Sequence, residues 1–328
     1  MHFRNYKLRS YLLLLLVFCF FQEATSQDSF FRNFSTDTDP ALTNRFINTV
    51  IEDNDGFLWI GTGSGLNRFD GLNFRSDFLP DSLSEININC SFKDSENKLW
   101  FGSKNGLVLI YDGAGFLVLS LRNFTSNAIT GFVETKDQSV IISTQNKGLV
   151  ITNMDNPREL NHILLDQKLI TAIGKAPGGK FLVGANDGLY IYSMPVGKQA
   201  PQFIRKSAEI PETTIQLINK GNTPGIAFVG TSDNGVYLLH AGKNSRGFDV
   251  FPLAFDEGLK QISAKSLIED DVHNIWIATS RQGLVKIKTP WNNPEKLNVT
   301  WYNKQNGLES NNMRTLIQDF EGNIWVGT

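Results

Sequence analysis

One short pattern returns seven times along this chain, and its best copy runs Asp53-Asn54-Asp55-Gly56-Phe57-Leu58-Trp59-Ile60-Gly61-Thr62-Gly63-Ser64-Gly65-Leu66-Asn67-Arg68-Phe69-Asp70-Gly71. Aligned on the large apolar position, the copies place Trp59, Trp100, Ile141, Leu182, Phe228, Trp276 and Trp325 in one column, at successive spacings of 41, 41, 41, 46, 48 and 49 residues. A repeat of roughly 40 to 50 residues built of short strands points to a propeller.

The neighbouring columns carry the reasons. Two residues on stand Gly61, Gly102, Ser143, Gly184, Gly230, Ala278 and Gly327, followed by Thr62, Ser103, Thr144, Ala185, Thr231, Thr279 and Thr328. Small residues inside a strand weaken it unless something must come close. These columns are therefore expected to receive aromatic side chains of the adjacent blade. Glycine recurs further on, in Gly65-Leu66, Gly106-Leu107, Gly148-Leu149, Gly188-Leu189, Gly235-Val236 and Gly283-Leu284, where it supplies the positive φ of a tight hairpin.

Within the first copy, turn residues divide the apolar pattern into four runs near Asn48 to Glu52, Phe57 to Thr62, Leu66 to Phe69 and Asn73 to Phe78. Four strands joined by hairpins form one antiparallel blade. The expected architecture is an all-β, seven-bladed β-propeller of four-stranded antiparallel blades, with the last blade incomplete. Phe30 to Phe34 resembles an outer strand that arrives before any inner one, and is expected to complete the last blade. The sequence stops at Gly327-Thr328, the end of a second strand, so the chain is expected to be an N-terminal fragment. The extra residues of the later repeats are expected in the fourth-to-first connections, near 194 to 212, 241 to 261 and 289 to 311, and to mark the ligand face.

Arg4, Lys7 and Arg9 precede an apolar run from Tyr11 to Phe21 and then Ala24-Thr25-Ser26. This is the pattern of a secretory signal peptide over residues 1–26, leaving a propeller over 27–328. The apolar run is too short for an ordinary spanning helix of about 20 residues. The whole chain carries a formal charge of −2, and loss of Arg4, Lys7, Arg9 and Glu23 leaves −4, so nothing suggests a nucleic-acid partner. Only Cys90 remains after cleavage, and no disulfide within the mature chain is possible.

No constellation carries obvious chemistry. Asp53-Asn54-Asp55-Gly56 opens like a calcium loop, but Thr62 stands where the bidentate acid belongs. His162, His240 and His273 lack ligand spacing, and neither a metal nor a cofactor is expected. Asp53, Asp94, Asp270 and Asp319, with Asn222 in the same column, sit six residues before the large apolar position. Symmetry-related turns hold them too far apart for paired acid catalysis, and turn capping explains them better. Trp301, beside Tyr302, fits an outer strand; Trp291 falls in a long connection. The segments opening the inner strands, near 46–49, 87–90, 128–131, 170–173, 213–216, 262–265 and 312–315, are mostly Asn, Thr, Ile and Ser. Arg45, Lys265 and Arg314 are the only charges near them, which disfavours catalysis.

The motif at 53–71, and Gln318-Asp319-Phe320-Glu321-Gly322-Asn323-Ile324-Trp325-Val326-Gly327-Thr328, resemble the two-component regulator propeller repeat found in periplasmic sensors of hybrid histidine kinases. The match weakens in the third to fifth copies, where Ile141, Leu182 and Phe228 replace Trp. The resemblance implies a periplasmic sensor that binds a glycan or related small molecule, with a possible homodimer in the receptor and a membrane anchor only through parts beyond this chain. It implies no enzyme activity here, because the kinase part is absent. The ligand-binding residues stay unassigned. A secreted propeller lyase or glycosidase and a protein-binding scaffold remain alternatives, since architecture alone does not choose between binding and catalysis.

Overall fold

The computed structural model of the protein describes residues 31–163, 165, 169–194, 199–242, 247–253, 257–288 and 298–328. The leader assigned to residues 1–26 lies outside them, as does Trp291. The chain divides into two units, Met1–Arg32 and Asn33–Thr328, and the second holds the described fold.

Six sheets have four antiparallel strands each, hydrogen-bonded in chain order. The first comprises Ile47–Glu52, Leu58–Thr62, Leu66–Phe69 and Phe74–Arg75. The inner strands of the next five are Ile88–Lys93, Ile129–Glu134, Ile170–Ala176, Ile215–Lys220 and Ala264–Glu269. A last sheet has two strands, Thr315–Gln318 and Ile324–Gly327. The expected seven-bladed β-propeller is thus corrected to six complete blades plus an incomplete seventh sheet. The physical reason is the supply of strands: among the described residues nothing follows the Ile324–Gly327 strand except Thr328, and residues 31–46 contribute no strand. Phe34 supplies its ring instead of a ladder. It stacks on Trp325 at 5.8 Å and meets Phe69 and Phe74 edge-on at 5.2 and 5.7 Å, covering apolar surface between the first and last sheets.

Side-by-side packing follows one rule. A Cβ added at Gly61 would lie 2.4 Å from Ile88 Cγ2, at Gly102 2.6 Å from Ile129 Cγ2, and at Gly184 2.6 Å from Ile215 Cγ2. At these positions the small column receives the β-branched residue that opens the next inner strand rather than the expected aromatic ring, and at Gly230 it receives Ala264 Cβ at 2.9 Å beside Leu217 of its own blade. Inner strands crowd the axis, and at that radius there is room for a branched methyl against a bare backbone but not for a ring. The ring closes by the same contact, since a Cβ on Gly327 would meet Ile47 Cγ2 at 2.7 Å. The Ile47 N–H also donates to the Thr328 carbonyl at 3.0 Å.

The Gly-Leu hairpins take the expected backbone. Gly106 has φ 77°, and a side chain there would strike the Thr125 carbonyl oxygen at 2.4 Å. Trp301 lies in the outer strand Asn298–Tyr302, as expected. The later repeats spend their extra length elsewhere than anticipated. The third and fourth strands of the first blade are joined by residues 70–73, whereas the corresponding connections are 194–202 in the fourth blade and 289–297 in the sixth. Much of the added length thus falls between third and fourth strands rather than between a fourth strand and the next first one; residues 195–198 and 289–297 lie outside the described residues.

Gly102→Ala is expected to lower stability by about 1–3 kcal/mol through overpacking, because Ile129 and Cys90 flank the site at 2.6–2.8 Å and a β-branched side chain yields little. Urea denaturation of the variant checks this.

Candidate functional site

The inner strand of each complete blade carries a bulge at its start, whereas the pairing of the seventh sheet runs without a slip. The pairing register slips between Ile47 and Thr49, Ile88 and Cys90, Ile170 and Ala172, Ile215 and Leu217, and Ala264 and Ser266. In the third blade the slip leaves out Thr130. A bulge removes one residue from the ladder and re-aims its side chain. The residues released in this way are Asn48, Asn89, Thr130, Thr171, Gln216 and Lys265, and Arg314 takes the equivalent place in the seventh sheet. All seven line an axial cavity of about 710 Å³.

Several of these side chains bind the ring together. Asn48 Nδ2 donates to the Ile88 carbonyl and Asn89 Nδ2 to the Ile129 carbonyl, both at 2.7 Å. The Thr171 hydroxyl donates to the Ile215 carbonyl. Arg314 Nη1 donates to Asn48 Oδ1 at 3.0 Å, which joins the seventh sheet to the first blade. One level deeper, Asn219 Nδ2 donates to the Leu267 carbonyl at 2.5 Å. Carbonyls that face the axis thus find partners in the adjacent blade, as buried backbone requires.

Lys265 and Arg314 are the charged residues of this lining. With its amide oriented to satisfy both ends, Gln216 accepts from Lys265 Nζ at 3.1 Å and donates to the Ala264 carbonyl at 2.9 Å. Burial, and next the neighbouring Arg314 charge, hold the Lys265 ammonium below its ordinary range. Arg314 also stands 5.1 Å from the centre of the Phe46 ring, and Arg45 5.0 Å from it. The lining includes Cys90 as well, whose thiol is pushed up to about 12 by burial and is correspondingly unreactive at neutral pH.

The far mouth has the opposite sign. A second cavity of about 410 Å³ is lined by Glu52, Glu269, Asp271 and Asp319 with Lys220. Glu269 is buried; its carboxylate accepts from the Thr223 N–H at 3.0 Å, from the Thr223 hydroxyl, and meets His273 Nδ1 at 2.8 Å. Burial raises the Glu52 carboxyl above 4.5, against the lowering effect of the Phe320 N–H that it accepts at 3.1 Å; Asp319 and Asp53 raise it further.

The aspartate column caps turns, as expected, and does more. In every copy that has both residues, one carboxylate oxygen accepts backbone N–H groups two and four residues on. The other accepts the indole N–H of the column tryptophan. Asp53–Trp59 spans 2.8 Å, Asp94–Trp100 2.7 Å, Asp270–Trp276 2.9 Å and Asp319–Trp325 2.6 Å. Where Trp is replaced by Ile141, Leu182 or Phe228, the aspartate position holds Thr135, Ala176 or Asn222. That pairing was visible in the sequence and marks a structural unit. These carboxylates are committed to the fold, and of the four only Asp319 borders either cavity, the one at the far mouth.

Comparison with known proteins agrees with this architecture. The family model described as "Two component regulator propeller" matches residues 41–64 and 307–328. The chain carries two-component regulator propeller repeats. It is 26% identical over 301 residues to histidine kinase P4 of Formosa agariphila, covering 82% of this chain and 20% of that protein. Its fold is similar to the extracellular domain of a hybrid two-component system from B. thetaiotaomicron, with a TM-score of 0.70 at 20% identity, covering 90% of this chain and 40% of the other. A streptogramin B lyase shares the fold at a TM-score of 0.66 and 11% identity, covering 88% and 92% respectively. The chain thus spans a fifth of the kinase and two fifths of the extracellular domain. Among the described residues, no helix is long and apolar enough to cross a membrane.

Two outcomes are expected. Asp94→Ala removes three hydrogen bonds, from the Glu96 and Lys98 N–H groups and the buried Trp100 indole, so it should cost about 3 kcal/mol. Asp94→Asn combined with Trp100→Phe, the pairing of the fifth blade, should cost less than the sum of its parts in a double-mutant cycle. The second outcome concerns pH. A carboxyl whose folded pKa is raised binds its proton more tightly in the folded chain, so the Glu52 contribution is complete below 4.5 and is lost as pH rises through the folded value. Glu52→Gln should flatten that part of the stability–pH profile, measured by denaturation from acid to neutral pH.

Proposed function

We propose that this chain is a ligand-sensing portion of a two-component signal transduction receptor, exported to the periplasm by its leader, and that it recognises a glycan or related small molecule at the axial channel. The observation that carries this reading is the channel lining. It presents amides, hydroxyls and two cations around a concave space of the size that small ligands occupy, and no Asp or Glu stands among its residues. Without a carboxylate or histidine in that lining, general acid–base chemistry has only Lys265 to draw on and no second group to pair with it, whereas hydrogen-bonding recognition has several. The regulator repeats and the likeness to extracellular domains of two-component systems support a sensing role over a catalytic one, although the lyase fold is equally similar in outline.

A periplasmic address is supported by the leader pattern at residues 1–26 and by the extracellular location named for the structural neighbours. Coupling to a kinase would lie in segments that this chain does not include.

The test is a thermal-shift screen of the expressed chain against a panel of oligosaccharides, followed by chromatography of whatever binds. A ligand held at 100 times its Kd should stabilise the domain by about 2.7 kcal/mol and be recovered unchanged. Conversion of the ligand would overturn the sensing reading in favour of an enzyme.

A further inference from the structure

The two mouths of the channel differ in charge, and the cationic one lacks a counter-charge. Lys265 and Arg314 occupy equivalent places in adjacent sheets, so the ring sets them side by side on one arc of the wall. Like charges are costly where protein replaces water, and burial first, then the Arg314 charge, make the Lys265 ammonium give up its proton more readily than an ordinary lysine. Among the described residues, no carboxylate lines this cavity. Their remaining contacts are neutral: the Gln216 carbonyl for Lys265, and Asn48 Oδ1 together with the Phe46 ring for Arg314. The bond to Asn48 uses Nη1 and fixes the guanidinium plane at the wall. A solitary cation at a channel mouth would be ordinary. Two, at the level where the bulges of the other blades present Asn, Thr and Gln, are placed where an oxygen anion would relieve their repulsion and accept charge-assisted hydrogen bonds from both.

We propose that Lys265 and Arg314 form an anion-binding site at this mouth of the channel, taking the oxyanion group of a small solute. The solute enters from the face that carries Arg45 and Phe46, because the opposite mouth, with Glu52, Glu269, Asp271 and Asp319, repels the same charge. Asn48, Gln216 and Asn312 share the lining and are neutral polar groups that can contact the rest of the molecule. The inference rests on the sensing reading for its biological meaning, but its chemistry is tested separately.

The oxyanion has two possible sources, a free inorganic ion and an acidic group carried by a sugar. The whole chain is titrated calorimetrically with sodium sulfate, sodium glucuronate and glucose at constant ionic strength, and so are Lys265→Gln, Arg314→Gln and a Lys104→Gln control outside the cavity. Binding of sulfate or glucuronate, with glucose weaker by about tenfold or more, is expected. Lys265→Gln should lose about tenfold or more in affinity for the anion, while Lys104→Gln should retain it. Glucuronate tighter than sulfate identifies an acidic sugar; equal affinities identify the inorganic group; both support the site. Arg314→Gln also severs the bond to Asn48, so it is interpreted only with an unchanged melting temperature, and Lys265→Gln decides the question without it. Absence of binding by both anions, or undiminished binding by Lys265→Gln, overturns the proposal. A neutral oligosaccharide that binds wild type and Lys265→Gln alike would overturn the anion site while leaving the sensing function standing.

Discussion

The whole ring depends on how closely one sheet can lie against the next. Where the second strand of a blade faces the opening of the following inner strand, a branched isoleucine presses onto backbone that has no Cβ, as Ile88 does on Gly61 and Ile129 on Gly102. Repeated around the axis, this contact sets the spacing of the inner strands and therefore the width of the channel. It also closes the circle, because Ile47 meets Gly327 in the same manner although the two are at opposite ends of the fold. The incomplete seventh sheet can serve in the ring because its two strands are the two that make this contact.

The tryptophan column adds a second level of order. An indole buried between sheets needs a partner for its N–H, and the turn that begins the same hairpin provides a carboxylate already held by two backbone donors. Turn, strand and inter-sheet packing become one unit. Blades lacking the pair, such as the third with Thr135 and Ile141, reach the same geometry with apolar burial and a hydroxyl-capped turn. The unit reinforces the fold without being indispensable to each blade.

Much of this was legible before any coordinates. The repeat gave the blade, its strand order and its hairpin glycines, because periodicity and turn chemistry are local. The aspartates were recognised as caps, but their bond to tryptophan was missed even though the two residues disappear together from the third, fourth and fifth copies. The partner of the small column was mistaken for an aromatic residue, since sequence indicates that space is needed without saying what fills it. The placement of added length failed for a similar reason. Short outer strands such as Phe203–Lys206 and Phe248–Pro252 carry weak patterns, so the division of a long interval between two connections could not be read. The charges Lys265 and Arg314 were noticed as departures from a neutral set. Their place at one level of one ring rests on the shared cavity wall, which no local pattern in the chain encodes.

The register slips have a consequence for how such a domain diversifies. A residue standing outside the ladder need not satisfy the alternation of its strand, and accordingly this level holds Asn, Asn, Thr, Thr, Gln, Lys and Arg, while the position before it is isoleucine in the first five blades and Ala264 or Met313 in the last two sheets. The barrel of the channel works like a combination lock whose dials are partly geared together: Asn48, Asn89, Thr171 and Arg314 also brace the neighbouring blade, whereas Thr130 and Lys265 make no such bond to backbone among the described residues and are the dials that a single substitution resets with least disturbance.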